Sequence, residues 1–331
     1  MQGIQMSEFG GPEVLVLREF ERPRAKAGEV LIKLDYAGVS FADTYMRRGY
    51  YKPPHTYATR LPFTPGVDGV GRIAEIGAGV SGFSAGDHVT YVLGHNSYAQ
   101  YVAVASWKVV RVPPDVPAPF ACALMVNGLT AYYLSHQLFL LRPGHTCLIH
   151  AGAGSVGQLL IQLAHLRGAR VITTVGSPEK EKIVRDLGVD AAILYREVDF
   201  VAAVREATGG EGVDVAYDSV GLDTYRNSMK CLKRRGVCAL YGAASGVPDC
   251  VRPMEDLAEN GSIFVTRSHL AHYMTDGEEI AKASAAVFAA HGSGKLKTAI
   301  DPRRLTLAQA AEAHRAIESS ASTGKILLQV P

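Results

Sequence analysis

The sequence has few cysteines and no arrangement of them that would build a disulfide framework. Only five occur among 331 residues, and none stands in a C-x-x-C pair. An odd, scattered set is unlike that of small secreted domains and suits a reducing compartment. The chain opens with MQGIQMSEFGGPEV, in which no basic segment precedes an apolar leader. We therefore expect a cytoplasmic protein.

Long apolar runs and an excess of one charge are also missing. The most apolar window, FACALMVNGLTAYYL, is interrupted by Asn127 and Gly128, and it is shorter than the ~20 residues that cross a bilayer. No membrane span is therefore expected. The formal net charge is only +2, which argues against nucleic acid as the main partner.

The order of apolar patterns along the chain predicts two kinds of structure. Short strand candidates separated by glycines fill the first third, which is typical of a small barrel or sandwich. From about Pro119, buried strands alternate with helices, which predicts a doubly wound parallel sheet. FACALMVNGLTAYYLSHQL is predicted to form one helix and TYRNSMKCLKRRG another. A long helix from Asp276 to about Ala290 and a tail ending TGKILLQV follow.

A glycine-rich turn follows the buried strand candidate TCLIH and opens an amphipathic helix. In a dinucleotide-binding turn, Gly152 would allow the tight bend, Gly154 the approach of a pyrophosphate, and Gly157 close packing of helix on strand. The backbone N–H groups near Ser155 and Val156 would face the phosphates at the helix N-terminus. An ordinary strand–helix turn is the alternative.

The end of the second strand lacks the acidic residue that would bind both ribose hydroxyls of NADH. It offers Gly176, Ser177 and Lys180 instead. Backbone N–H groups, a hydroxyl and a cation suit a 2′-phosphate, so we predict NADPH as cofactor. Glu179 is expected to face solvent. The alternative is that Lys180 is only a surface lysine.

Over essentially its whole length the chain resembles the zinc-independent quinone oxidoreductases, the zeta-crystallin-like branch of the medium-chain dehydrogenases/reductases. The motifs that carry the resemblance are GGPEVL, GVSFADTYMRRGYY, AGDHVTY, NGLTAYYL, HAGAGSVG, AYDSVG, FVTRSHL and AHRAIESSASTGKILL. The resemblance implies an α/β protein with a GroES-like β-barrel catalytic domain around a Rossmann-type, NADPH-binding domain, the nicotinamide lying in the cleft between them. Residues 1–123 would begin the catalytic domain, 124–267 would bind NADPH, and 268–331 would form a helix and return to the catalytic domain.

The resemblance also implies a set of cofactor-binding residues. They are Phe41, Ala42, Asp43, Thr44, Tyr45, Thr130, Tyr133, Gly154, Ser155, Val156, Gly176, Ser177, Lys180, Tyr195, Ser219, Tyr241, Gly242, Ala243, Ala244, Val265, Thr266 and Arg267. Tyr45 is the candidate catalytic residue, as a phenol that would hydrogen-bond the acceptor oxygen directly or through water. Packing of the cleft wall is its alternative role. We interpret Asp43 as a structural partner of an arginine or a backbone N–H rather than as a base.

Three tyrosines after this segment, Tyr50, Tyr51 and Tyr57, form a candidate aromatic lid over a flat substrate. A solvated turn is the alternative. The segment from Tyr50 to Pro65 is longer than in compact bacterial relatives, and Ser320 stands where some relatives have a cofactor-binding arginine. These departures concern the substrate rather than the fold.

The zinc ligands of alcohol-oxidising relatives are missing at the matching positions. Ser40 stands in place of a cysteine, and Val67 and Asp68 stand in place of a His-Glu pair. Zinc requires several thiolate or imidazole ligands, so no metal is expected, and reduction of an activated acceptor is favoured over alcohol oxidation. Quinone-reducing relatives often carry asparagine where this chain has Ser40.

The predicted activity is hydride transfer from NADPH to a quinone. One alternative is reduction of a carbon–carbon double bond conjugated to a carbonyl or carboxylate, with an enone or acrylate as substrate. A second alternative, from another class, is an NADPH-binding structural or RNA-binding protein. The resemblance also implies a homodimer or homotetramer, in which a strand near residues 263–266 pairs between subunits.

Overall fold

The computed structural model describes residues 1–51 and 58–331, and these form two compact units. We call the first the antiparallel unit and the second the parallel unit. The antiparallel unit contains Met1–Leu129, Met274–Gly292 and Thr298–Pro331, and the parallel unit contains Thr130–Tyr273 and Ser293–Lys297. The domain boundaries predicted after residues 123 and 267 stay a proposal. The chain passes from the first unit to the second after Leu129 and returns to the first at Met274, a few residues later in each case.

Strands and helices are numbered in chain order. The strands are β1 (Gln2–Gln5), β2 (Val16–Glu19), β3 (Glu29–Val39), β4 (Gly69–Ile76), β5 (His88–Tyr91), β6 (Tyr101–Ala105), β7 (Val109–Arg111), β8 (Thr146–Ile149), β9 (Arg170–Val175), β10 (Ala191–Leu194), β11 (Val213–Asp218), β12 (Leu232–Leu240), β13 (Phe264–Arg267), β14 (Leu305–Thr306) and β15 (Ile326–Gln329). The helices are α1 (Phe41–Arg47), α2 (Ala118–Leu124), α3 (Val126–Tyr133), α4 (Ser155–Leu166), α5 (Pro178–Asp186), α6 (Phe200–Ala207), α7 (Tyr225–Lys230), α8 (Gly277–Gly292) and α9 (Ala310–Glu318).

The antiparallel unit is built around the long strand β3. The sheet has the order β14-β15-β3-β4-β5-β7, and β6 also pairs with β3. Branched apolar side chains of β3, β4, β6 and β15 contribute to its core, together with residues of β5, β7 and α9. The last strand, β15, pairs antiparallel with the end of β3, with Ile326 opposite Val39. This register makes neighbours of Lys325 and Ser40, which stand just outside the paired residues.

The parallel unit contains a six-stranded sheet in the order β10-β9-β8-β11-β12-β13, in which every pairing is parallel. Relative to β8 as the first strand, this is the order 3-2-1-4-5-6 of a Rossmann-type sheet. All four residues of β8 are buried, as expected for a strand covered on both faces. The predicted doubly wound fold is confirmed, and the carboxyl ends of its strands meet at one edge.

The structure corrects several element predictions. The segment predicted as one helix is divided into α2 and α3, because Met125 between them has ψ −88°, and a π-helical turn at Leu134–Leu138 follows. The helix predicted over TYRNSMKCLKRRG ends at Lys230, since LKRRGVCAL belongs to β12. Helix α8 extends beyond the predicted end at Ala290 to Gly292.

The sequence analysis predicted only β structure around GVSFADTYMRRGYY, where the structure places the short helix α1. None of the helices within residues 1–51 and 58–331 is long and apolar enough to cross a membrane.

Candidate cofactor-binding and active site

The turn after β8 is shaped by three glycines with different surroundings. A Cβ on Gly152 would lie 2.0 Å from Thr173 Oγ1, and one on Gly157 would lie 2.4 Å from the carbonyl oxygen of Ala151. Both positions therefore require glycine for close packing. A Cβ on Gly154 would meet only the oxygen of Ala151, at 3.1 Å. Gly154 is thus less crowded than Gly152 and Gly157, and the approach of a pyrophosphate to its backbone stays a prediction.

Helix α4 begins at this turn with Gly154 as its N-cap. Its first intrahelical bond runs from Gln158 N–H to the Gly154 carbonyl oxygen, 2.9 Å, so the N–H groups of Ser155 and Val156 have no partner within the helix. The helix dipole adds a partial positive charge there. Exposed N–H groups at an open glycine turn fit a pyrophosphate.

The ends of β9 and β10 bring a second group of residues together. A Cβ on Gly176 would lie 3.3 Å from Arg196 Nε and 3.5 Å from the Tyr195 ring. Arg196 is thus a neighbour of the predicted Gly176 and Tyr195. The sequence analysis missed it, although it directly follows Tyr195 at the end of the third parallel strand.

Helix α5 starts beside these residues. Ser177 is its N-cap, and its hydroxyl oxygen accepts a 3.5 Å hydrogen bond from Lys180 N–H. Partial burial, and then the nearby charge of Arg196, lower the pKa of Lys180. The side chains of Lys180 and Arg196 are therefore close enough for their positive charges to repel. Glu179 is exposed, as expected.

The turns after β11 and β12 are bonded to each other. The N–H groups of Tyr241 and Gly242 donate to the Asp218 carbonyl oxygen, at 2.9 and 3.3 Å, and Ala244 N–H donates to the Ser219 carbonyl oxygen at 3.2 Å. A Cβ on Gly242 would lie 2.2 Å from that oxygen of Ser219. The structure therefore brings the predicted residues Ser219 and 241–244 together in two adjoining turns. Burial raises the pKa of Tyr241 to about 12, so its phenol is protonated at neutral pH.

The remaining predicted residues of the parallel unit differ in exposure. Tyr133 is buried, its hydroxyl lies 3.1 Å from Ser268 Oγ, and its ring stacks on Tyr273. Thr130, Val265 and Thr266 are half-buried. Arg267 is exposed, and its guanidinium donates to the Leu240 carbonyl oxygen. A cofactor contact by any of these residues stays a prediction.

In the antiparallel unit, Asp43 of α1 is fully buried. Its carboxylate accepts hydrogen bonds from Ser40 N–H at 2.8 Å, Gly66 N–H at 3.1 Å and the Tyr98 hydroxyl at 3.3 Å. The interpretation of Asp43 as a partner of backbone N–H groups is confirmed. Burial, and then the charge of Asp68, raise the pKa of Asp43 to about 7. All three contacts of this carboxylate lie within the protein, and a contact between Asp43 and the cofactor stays a prediction.

A buried chain of side chains continues from this carboxylate to helix α9. Burial and the charge of Arg47 lower the pKa of His314 to about 3, so the imidazole is neutral. Its Nδ1 accepts from Arg47, 3.1 Å, and its Nε2–H then faces the Tyr98 hydroxyl at 3.0 Å. Arg47 also forms a 2.6 Å ion pair with Glu318 of α9. Helix α1 is thereby fixed to α9.

Tyr45 lies within an aromatic cluster. Its side chain is 6% exposed, and ring centroids of Phe41, Tyr50 and Tyr51 lie 6.1, 6.0 and 6.1 Å from its own. These contacts show that its ring packs, while the role of its hydroxyl stays a prediction. Two tyrosines of the candidate lid thus contact Tyr45, and Tyr57 lies outside the described residues.

Two of the positions that would hold zinc ligands in alcohol-oxidising relatives, Ser40 and Asp68, here contact an ammonium group. Lys325 is 1% exposed, and its Nζ lies 2.9 Å from Ser40 Oγ and 2.9 Å from Asp68 Oδ2. The sequence analysis missed Lys325, whose only signal is a charged residue directly before an apolar strand. Nowhere in residues 1–51 and 58–331 do three or more His, Cys, Asp or Glu side chains group as a metal site.

Comparison with known proteins agrees with this two-part architecture. Residues 26–114 match the family model described as alcohol dehydrogenase GroES-like domain, and residues 155–289 match the one described as zinc-binding dehydrogenase. The fold and these matches define a medium-chain dehydrogenase/reductase.

Relatives of similar length narrow the class. The 2-haloacrylate reductase of a Burkholderia species is 39% identical over 323 residues, 96% of each chain. Quinone oxidoreductase 1 of Escherichia coli K12 is 36% identical over 327 residues, 98% of each chain. The structure of the Escherichia coli quinone oxidoreductase complexed with NADPH superposes with a TM-score of 0.95 at 35% identity, covering 99% of this chain and 100% of that one. The chain belongs to the quinone oxidoreductase family of the medium-chain dehydrogenases/reductases, which confirms the resemblance.

The Lys325–Asp68 pair yields a prediction about stability. Lys325→Met leaves the Asp68 carboxylate buried without its cation, which typically costs about 3–5 kcal/mol of unfolding free energy. Lys325→Met combined with Asp68→Asn removes both charges, and we expect it to recover most of the loss. Urea unfolding of the full chain, followed by circular dichroism, measures both.

Lys33→Met is the matched control, because Lys33 is an exposed lysine on β3, and we expect little change. A Lys325→Met variant as stable as this control would contradict the role of the buried ion pair.

Proposed function

We propose that this chain is an NADPH-dependent quinone reductase that transfers hydride to its acceptor without a metal. The full-length similarity to quinone oxidoreductases supports the reaction class. The observation that carries the choice of cofactor is the juxtaposition of Lys180 and Arg196 at the ends of β9 and β10, where an acidic residue would be needed to select NADH.

Each part of the proposed NADPH site has a separate task. The N–H groups of Ser155 and Val156, beside Gly154, would bind the pyrophosphate. Lys180 and Arg196 would bind the 2′-phosphate through charge-assisted hydrogen bonds. The other predicted contacts in the parallel unit would follow the same strand edge: Thr130, Tyr133, Gly176, Ser177, Tyr195, Ser219, Tyr241, Gly242, Ala243, Ala244, Val265, Thr266 and Arg267.

NADPH, when bound, supplies the hydride. A quinone accepts it without a Lewis acid, because its conjugated ring already stabilises the added electrons. The protein then has to orient the acceptor and provide a hydrogen-bond donor where charge develops. Tyr45 is proposed as that donor, and Phe41, Ala42, Asp43 and Thr44 of the same helix are proposed to line the nicotinamide end.

Independence from zinc is proposed from the side chains at the ligand positions. The carboxylate of Asp68 is already paired with the Lys325 ammonium, which also contacts Ser40. A cation held at this point repels a divalent metal, and Val67 supplies no ligand atom.

Reduction of a conjugated carbon–carbon double bond is the second candidate. It is favoured by the 39% identity with a 2-haloacrylate reductase. NADPH would also supply the hydride for an enone or acrylate. Tyr45 would donate its hydrogen bond to the conjugated oxygen of those substrates, since charge develops there too. Quinones and acrylates therefore have to be compared directly.

A homodimer or homotetramer in the cytoplasm is the proposed state of the protein. Strand β13 is an edge of the parallel sheet, and its Phe264 is 62% exposed, so its free backbone groups suit pairing with a second copy. The five cysteines are scattered and include no C-x-x-C pair, which supports a reducing compartment. Sedimentation velocity of the full chain measures the assembly, and a monomer at micromolar concentration would contradict it.

The reaction is tested by NADPH oxidation with purified protein and two substrate panels, one of quinones and one of enones and acrylates. We expect higher kcat/KM values in the quinone panel. Turnover confined to enones or acrylates would establish the second candidate instead. No NADPH oxidation with either panel would contradict the proposed reductase function.

The cofactor preference gives a second test. A charge-assisted hydrogen bond contributes roughly 1.5–3 kcal/mol, so Lys180→Ala should weaken NADPH binding about 10- to 100-fold and leave NADH unchanged. Arg196→Ala should act in the same direction. Calorimetric Kd values for both cofactors measure this, with the exposed Lys182→Ala as control. Equal losses for NADPH and NADH would show that neither cation binds the 2′-phosphate.

Zinc independence is checked on the purified protein by elemental mass spectrometry. We expect no stoichiometric zinc and unchanged turnover after treatment with a chelator, because the ligand positions hold Ser40, Val67 and Asp68. One zinc ion per chain whose removal abolishes turnover would refute the proposal.

The role of Tyr45 is tested with Tyr45→Phe, which keeps the ring and removes the hydroxyl. A positioned donor to developing charge is typically worth about 10²–10³ in turnover, so kcat should fall strongly while the Kd for NADPH stays unchanged. Tyr101→Phe removes a phenol from β6 and is the control. Unchanged kcat in Tyr45→Phe would reduce Tyr45 to a packing residue.

A further inference from the structure

A buried chain of hydrogen bonds crosses the parallel unit beneath the strand ends. His150 directly follows β8, and its Nδ1 lies 2.9 Å from Thr174 Oγ1 of β9. Its Nε2 lies 2.9 Å from Ser228 Oγ of α7, which in turn lies 2.7 Å from Asp218 Oδ2 at the end of β11. His150, Ser228 and Asp218 are each at most 1% exposed.

The hydrogen-bonding capacity of each group determines which atom donates and which accepts in this series of hydrogen bonds. Burial lowers the pKa of His150, although the Asp218 charge opposes the shift, so the imidazole is neutral and has one donor and one acceptor. The Ser228 hydroxyl donates to the Asp218 carboxylate, its nearer acceptor, with the Thr224 carbonyl oxygen at 3.0 Å as the other one. Its oxygen therefore accepts from His150 Nε2–H. Nδ1 is then the acceptor, and Thr174 donates to it. Each hydrogen bond thus points towards the carboxylate.

The carboxylate end of the chain organises the turn after β11. Asp218 Oδ1 accepts from the N–H groups of Val220 and Gly221, at 2.9 and 3.0 Å, and from the Thr224 hydroxyl. Ser219 lies between these bonded residues. These hydrogen bonds to the Asp218 side chain therefore restrain the position of Ser219.

The imidazole end adjoins the glycine turn. The next residue, Ala151, has φ 53°, a left-handed conformation that costs free energy for any residue with a Cβ. Its carbonyl oxygen accepts from Gly154 N–H at 2.9 Å, so the turn requires this conformation. His150 N–H donates to the Tyr217 carbonyl oxygen, 3.0 Å, and its ring is held on both sides. The residue before the strained position is therefore immobilised.

Serine, histidine and an acid also form hydrolytic triads, but this arrangement cannot act as one. In a triad the histidine lies between the serine and the acid, whereas here Ser228 lies between His150 and Asp218. All three side chains are buried, so no substrate can reach the serine. The cluster has another task.

We propose that His150 is a positioning residue for the pyrophosphate of the bound dinucleotide, holding the strained glycine turn in register with the turn after β11 through Ser228 and Asp218. The inference rests on the proposed NADPH binding and adds a residue that the cofactor itself does not touch. His150 stabilises the one conformation of Ala151 that opens Gly154 and the first N–H groups of α4. Its contribution is specific to the phosphate-binding end of the site.

The experiment compares two ligands on the full chain by calorimetry. NADPH uses the glycine turn, whereas adenosine 2′-monophosphate carries only the adenosine end with its 2′-phosphate. His150→Leu should weaken NADPH binding about 10- to 100-fold, the value of a lost charge-assisted phosphate contact, and leave the Kd of adenosine 2′-monophosphate unchanged. Ser228→Ala keeps the imidazole but removes the hydrogen-bonded link between His150 and Asp218, and it should also weaken NADPH binding. His150→Gln, whose amide can reach Ser228, should bind NADPH more tightly than His150→Leu.

A rescue variant separates positioning from general stability. Glycine adopts positive φ without a steric penalty, so Ala151→Gly should restore part of the NADPH affinity lost in His150→Leu. The Kd for NADPH of Ala151→Gly alone is measured as the reference for this rescue. Melting temperatures of all variants are measured in parallel. If His150→Leu does not fold, the Ser228→Ala variant, with and without Ala151→Gly, decides the question.

The outcomes are distinct. Equal losses for both ligands, no loss for NADPH, or no rescue by Ala151→Gly would each overturn the positioning role. An unchanged chain that binds no NADPH would instead overturn the proposed cofactor. Tight NADPH binding by the unchanged chain, with the same Kd in the His150 and Ser228 variants, would overturn only the present inference.

Discussion

The parallel direction of six strands is the constraint on which the proposed cofactor site depends. Because β8 to β13 all run the same way, turns that are distant in sequence meet at one edge of the sheet. That edge collects the open glycine turn, the two cations near Gly176 and the bonded turns after β11 and β12. The buried chain from His150 to Asp218 lies just beneath it and joins two of these turns.

In the antiparallel unit, buried charged side chains hold the candidate site residues in place. Helix α1 is held at its start by Asp43 and Ser40 and near its end by Arg47, whose partners lie on other elements. Lys325 brings a cation to the positions where relatives bind zinc. A buried ion pair contributes little net stability but is costly to break, so it defines the geometry around Ser40 more than it stabilises the fold.

These two arrangements fit the chemistry of the family. Transfer of hydride to a conjugated acceptor requires positioning and one well-placed donor, and it does not require a metal to stabilise an alkoxide. The strand edge of the parallel unit is proposed to bind the cofactor phosphates, and helix α1 of the antiparallel unit carries Tyr45. The packing of Tyr45 among other aromatic rings restricts its rotamers, which is what a positioned hydroxyl requires.

The sequence by itself determined the class of fold, the glycine turn with its context, the missing zinc ligands and the lack of an acidic residue at the end of β9, because these are local patterns of residue type and spacing. Only the tertiary structure decided the partners of buried polar groups. Lys325 contacts Ser40 across 285 residues, and His150 reaches Ser228 across 78. Such contacts follow from strand register and sheet order, which no local pattern encodes. A lysine or an arginine, such as Lys325 or Arg196, is indistinguishable in sequence from one on the surface, since only the surrounding fold removes it from water or places it beside another cation.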